Sequence, residues 1–112
     1  MGALYVDGKK IVGAGTYHNV TSLKTGFSFV TGGYANWVVM NGVCFVTLWG
    51  VTASQTGVHE VFDGLPVGAF NGAVYTKTCR IYNSGYSLYV SCSSSETVYA
   101  TLIYPVPDGA PV

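Results

Sequence analysis

The sequence predicts an all-β domain, an antiparallel two-sheet sandwich of jelly-roll or Greek-key type with about 8–9 strands. Three observations predict it. Val, Thr, Tyr and Phe dominate, and these are strand formers. No window places apolar residues at i, i+3, i+4 and i+7 without an interrupting Gly or β-branched run. Turn signals recur about every ten residues, the rhythm of a sandwich or barrel. The chain has 112 residues, enough for one domain with a proper core and too few for two. The expected organisation is a single domain over 1–112, with 1–21 as an N-terminal hairpin extension and 105–112 as an extended tail.

The elements follow in order. Leu4-Tyr5-Val6 and Lys9 to Val12 flank Asp7-Gly8, a pair that supplies positive φ for a tight hairpin turn. Gly13-Ala14-Gly15 breaks the chain. Strands are expected at Thr16 to Thr21 and Ser22 to Thr31, with a turn at Gly32-Gly33. The clearest hairpin is Trp37 to Met40, Asn41-Gly42, then Val43 to Thr52. Alternation sorts Cys44, Val46 and Leu48 onto one face and Val43, Phe45, Thr47, Trp49 and Val51 onto the other. Both faces are largely apolar, so this strand is central, or it meets a core on one side and a second subunit on the other. Val58 to Phe62 is a short strand, and Asp63-Gly64-Leu65-Pro66 is a corner, because Pro66 cannot donate to a ladder. Phe70 to Gly72 is a second bend. Ala73 to Tyr82 and Tyr86 to Cys92 form a hairpin around Asn83-Ser84-Gly85. Thr97 to Tyr104 closes the sheet with Val98, Ala100, Leu102 and Tyr104 on one face. The proline-rich tail from Pro105 has few ways to fold on its own chain.

Charge narrows the function classes. Charged residues are only 9%, and five Lys/Arg balance five Asp/Glu. Disordered tails carry more charge and fewer aromatics than the 14% here. No basic excess offers itself to nucleic acid or to an anionic membrane surface. The longest apolar stretch, Trp37 to Ala53, falls short of the ~20 residues a helical span needs and contains Asn41-Gly42, so no membrane insertion is expected. Neutral, apolar composition favours self-association, and the expected partner is a second copy of the chain. Phe45 and Trp49 are the candidate interface residues.

Met1 to Val6 is broken at once by Asp7-Gly8-Lys9-Lys10, so no secretion signal is expected. Cys44, Cys79 and Cys92 are odd in number and show no C-x-x-C spacing. With the turn centred on Ser84-Gly85, Cys79 faces Val90 rather than Cys92. Three reduced thiols, as in a reducing cytoplasm, are the expectation. Asn19-Val20-Thr21 matches a glycosylation acceptor by chance.

Catalytic patterns are sparse. His59-Glu60-Val61-Phe62-Asp63 has the spacing of a helical metal site, but on a strand positions 59 and 63 stand about 13 Å apart. Glu60 and Asp63 are expected on opposite faces, which leaves no paired carboxylates for glycoside cleavage. Gly13-Ala14-Gly15 lacks the rest of a dinucleotide loop. No enzyme, metal or cofactor is expected. Binding chemistry fits better: Tyr34, Asn36, Trp37, Asn71 and Tyr86 offer ring faces and amides to a saccharide.

One run of motifs carries a family likeness. Asn41-Gly42-Val43-Cys44-Phe45-Val46, then Phe62-Asp63-Gly64-Leu65-Pro66-Val67-Gly68, then a glycine turn at Asn83-Ser84-Gly85 and a strand ending Ile103-Tyr104-Pro105 follow in order. From Asn36 to Pro105 the chain resembles the C-terminal domain of tailed-phage tail fibre, tail spike and baseplate proteins. It departs after Gly68, where Ala69-Phe70 replaces the common Arg-Pro. The resemblance implies a small β-sandwich head, a homotrimer at the virion tail tip, made in the host bacterial cytoplasm, that attaches to a host surface molecule such as a glycan. It transfers no catalytic residue. The alternatives are a structural trimerisation domain without a ligand and a small glycan-active enzyme.

Overall fold

A computed structural model describes residues 4–6, 9–11, 15–69 and 72–107. Ten strands run in chain order: β1 (Leu4–Val6), β2 (Lys9–Ile11), β3 (His18–Asn19), β4 (Phe27–Met40), β5 (Val43–Ala53), β6 (Gly57–Asp63), β7 (Ala73–Tyr75), β8 (Cys79–Ser84), β9 (Ser87–Cys92) and β10 (Glu96–Pro105). The described residues contain no helix. Strands β1 and β2 pair as a separate hairpin, with Val6 opposite Lys9. The other eight form two antiparallel sheets, a front sheet ordered β10-β5-β4-β3 and a back sheet ordered β6-β9-β8-β7. The predicted all-β sandwich is what the chain forms.

Local chemistry explains the register of the front sheet. Asn41 and Gly42 both have positive φ, 53° and 76°, as a two-residue turn with the right twist requires. That turn sets Met40 opposite Val43 and fixes the pairs behind it as far as Tyr34 with Trp49, including Trp37 with Val46 and Ala35 with Leu48. Inner side chains then alternate into one core. Leu48, Val46 and Cys44 meet Leu102 and Tyr104 from β10, and Ile81, Leu88 and Val90 from the back sheet. The Tyr104 hydroxyl donates to the Pro66 carbonyl at 2.8 Å, so the proline corner is anchored from the last strand. Burial pushes the Tyr104 hydroxyl far above its usual pKa and also raises that of the Cys44 thiol beside it.

Several expectations are corrected. Gly32-Gly33 is not a turn. Strand β4 runs through it, and residues 30–33 bulge out between the pairs Phe29–Val51 and Tyr34–Trp49. On β5 the matching extra residue is Gly50, at φ 69°. A Cβ on Gly33 would stand 2.7 Å from the Gly50 carbonyl oxygen, so the two bulges nest only because both residues lack a side chain. The Gly50 bulge flips the alternation. Val51 enters the core, while Trp49 stays outside. The segment expected as one strand from Ala73 to Tyr82 is split by a turn at 76–78, closed by the Thr76 amide donating to the Cys79 carbonyl. The strand expected at Thr16 to Thr21 shortens to His18–Asn19.

The cysteine expectation fails for a simple reason. The turn residues between β8 and β9 are Gly85 and Tyr86, one position later than expected, so Ser84 pairs with Ser87. A one-position move of a hairpin turn shifts the register by two, which places Cys79 opposite Cys92. They form a disulfide, with Cα atoms 4.1 Å apart, and Cys44 is the buried free thiol. The tail also folds on its own chain. Pro105 pairs with Val43, and the Val106 amide donates to the Gly42 carbonyl at 2.9 Å. Residues 108–112 of the expected tail lie outside the described residues.

Candidate functional site

The outward face of the front sheet is built in rows by the register just described. One row crosses the sheet as Tyr99, Trp49 and Tyr34. The next is Thr101, Thr47 and Asn36, and the third is Ile103, Phe45 and Val38. Pro105, Val43 and Met40 complete the face. Strand period places these residues together on one side, where Val38 is covered, with only 2% of its surface exposed. Ile103, Tyr99, Trp49 and Tyr34 leave 54%, 51%, 50% and 46% of their surface exposed. Trp49 and Tyr99 meet edge to face, with ring centroids 4.7 Å apart. Thr47 and Thr101 are 3.4 Å apart at their hydroxyls, so the polar row is partly engaged within itself. The face carries no charged residue in any of the four rows.

This placement sorts the candidate residues. Phe45 and Trp49 share the face, and Tyr34 and Asn36 stand beside them. Tyr34 pairs directly with Trp49 and Asn36 with Thr47. Trp37 is on the other side of β4, in the core, with only 8% of its surface exposed and the His18 ring stacked on it at 3.9 Å. It offers little ring surface to a ligand. Tyr86 is exposed on the β8–β9 turn of the back sheet, apart from Tyr34 and Asn36. Asn71 lies outside the described residues. Of the four described candidates, Tyr34 and Asn36 stand together, and Trp37 and Tyr86 stand apart from them. Tyr99, Ile103 and Val43 belong to the apolar face; alternation placed Val43 there, and the other two were not singled out. A signal for two of them exists: assigning Val98, Ala100, Leu102 and Tyr104 to the core leaves Tyr99 and Ile103 outward.

The outward face of the back sheet has a different chemistry. Tyr82 and Tyr89 are cross-strand neighbours with rings stacked at 5.6 Å, and the Arg80 guanidinium carbon lies 4.4 Å from the Tyr82 ring centroid. Glu60 and Asp63 are on one face, contrary to expectation, because Val61 is an extra residue in β6 where the pairing skips from Glu60 to Phe62. Lys24 Nζ stands 3.8 Å from Glu60 and 3.3 Å from Asp63. The hydrogen bond to Asp63 and the two negative charges raise the Lys24 pKa. The Ser87 hydroxyl donates to Glu60. His59 donates its ring Nε2 proton to the Thr56 carbonyl at 2.7 Å. Comparison with protein-family models, with curated proteins and with solved structures finds no match for this chain.

Proposed function

We propose that this chain is a non-enzymatic attachment domain of a tailed-phage virion, assembled as a homotrimer at the tail tip and directed at a host cell-surface glycan. The observation that carries the reading is the outward face of β10, β5 and β4. Its uncharged rows expose Trp49, Tyr99, Ile103 and Tyr34 together, and contiguous apolar patches of this kind mark association surfaces. A fibre-tip head works as a ring of copies, and this face supplies each copy with a surface to bury. The balanced charge leaves little repulsion between copies. Copy number three comes from the resemblance of the Asn41–Val46 and Phe62–Gly68 motifs to tail-tip domains, since the face alone serves a dimer equally well.

Burying Phe45 and Trp49 contributes ~1.5–3 kcal/mol each per subunit by area. The competing structural reading, a clamp without a ligand, shares the interface and lacks the attachment. Fluorescently labelled protein applied to bacterial host cells separates them. Decoration of the cells, competed by unlabelled protein, is the expected result. A trimer that decorates no host cell is a clamp.

A further inference from the structure

We propose that the back sheet carries a preorganised groove for an acidic saccharide at the turn between β7 and β8. The proposal rests on the attachment reading for its biological setting and on the following geometry for its chemistry. If the front face is consumed by neighbouring copies, the back sheet is the broad face each copy keeps open. One row of that sheet runs Val58, Ser91, Arg80 and Tyr75. Tyr75 is the most exposed large hydrophobic side chain among the described residues, at 72%. Its ring is a platform for the C–H face of a sugar, and its hydroxyl both donates and accepts.

Two of the chain's five cationic side chains, Lys77 and Arg80, line the same groove. Lys24 is engaged by Glu60 and Asp63, whereas neither Lys77 nor Arg80 has a carboxylate within ion-pair distance among the described residues. In a chain with 9% charged residues, two unengaged cations beside an exposed ring are a concentrated feature. Arg80 is held over Tyr82, so its fork loses little freedom on meeting a carboxylate or sulfate.

The groove is rigid. Its floor is the Cys79–Cys92 disulfide. Its turn is fixed by Glu96, whose Oε1 accepts from the Thr76 hydroxyl at 2.8 Å, the Thr78 hydroxyl at 2.7 Å and the Thr78 amide at 2.9 Å. The Ser93 amide donates to the Thr78 carbonyl at 2.9 Å. Such preorganisation removes the ordering cost from binding. Among the described residues, Glu96 is committed to the turn and Glu60 to Ser87 and Lys24. Two cations are too few for a nucleic-acid backbone, which demands many phosphate contacts. A ring platform beside a cation suits a sugar acid better than a bare anion.

The probes are fluorescent oligosaccharides bearing carboxylate, sulfate or phosphate, each matched to its neutral counterpart by esterification or removal of the anionic group. Binding is read by fluorescence anisotropy at low and high salt. At least one acidic probe is expected to bind over its neutral counterpart, with affinity falling as salt rises. Arg80→Gln and Tyr75→Ala are each expected to weaken it by about tenfold or more, while Tyr17→Ala, at an exposed ring outside the groove, leaves it unchanged. All three sites are on the surface, and an unchanged unfolding midpoint verifies the fold. Equal binding of acidic and neutral probes, no binding of any acidic probe, or full affinity in Arg80→Gln overturns the groove. Cell decoration separates the two claims. Decoration that survives Arg80→Gln overturns the groove and leaves attachment standing. Binding of an acidic probe without decoration of any host cell supports the groove and removes attachment.

Discussion

Glu96 shows how a single side chain sets local structure. Burial pushes its carboxyl pKa up, and hydrogen bonds from the Thr78 hydroxyl and amide, the Thr76 hydroxyl and the Lys77 amide outweigh that and hold it below the usual carboxylate range. A depressed folded-state pKa stabilises the fold above the unfolded value of about 4.3 and loses that stabilisation as pH falls through the folded value. Urea midpoints of the wild type should therefore decline on acidification below that range, and Glu96→Gln should flatten the decline. Equal slopes for the two proteins would show that Glu96 does not couple folding to protons. Tyr104 offers a second residue-scale test. Tyr104→Phe removes the donor to the buried-side carbonyl of Pro66 and should cost about 1–3 kcal/mol. Chemical denaturation measures it, and a cost near zero would mean that the corner stands without the anchor.

Elements are governed here by turns and bulges. The Asn41-Gly42 turn was legible because few dipeptides accept two positive φ values in succession. The back-sheet hairpin was legible in kind and misplaced by one residue, since Asn83, Ser84, Gly85 and Tyr86 allow more than one two-residue loop. That single step decided whether Cys79 met Val90 or Cys92. The disulfide closes a short loop, and by chain entropy it stabilises by about 3 kcal/mol. Cys79→Ser with Cys92→Ser should lower the unfolding free energy by roughly 2–4 kcal/mol, and a free-thiol titration of the denatured wild type should find one thiol per chain, Cys44. Gly32, Gly33 and Gly50 were harder to read. Glycine pairs mark turns in most chains, and nothing local to Gly32-Gly33 reveals that Gly50, on another strand, nests against it. Gly50→Ala places a side chain against Val30 at positive φ. It should destabilise by more than the ~1 kcal/mol of an ordinary Gly→Ala strain and displace Trp49, seen as a shifted tryptophan emission.

At the scale of the whole molecule, alternation carried the core and the outward apolar face further than it carried the binding candidates. Leu48, Val46 and Leu102 were each sorted onto one face of their strand by period alone, and that face is in the core. Phe45 and Trp49 were assigned outward by the same rule, and they are. Val51 broke the rule at a bulge. Binding candidates suffered most, because Tyr34 and Tyr86 lie on different sheets and Trp37, paired with Val46, turns into the core. Tyr75, Lys77 and Arg80 come together across the β7–β8 turn at 76–78, which reading Ala73 to Tyr82 as one strand concealed. The two broad faces that result differ in kind: an uncharged apolar face on the front sheet and a cation-bearing aromatic face on the back. On the proposed reading, the first face is buried between copies and the second stays open.

Light scattering after size exclusion tests the association claim most directly. The wild type at micromolar concentration should elute as one species of about three times the 11.8 kDa chain mass. Trp49→Glu, which sets a charge in the centre of the apolar face, should split it into folded monomers or prevent folding. A monodisperse wild-type monomer near 11.8 kDa would contradict the account.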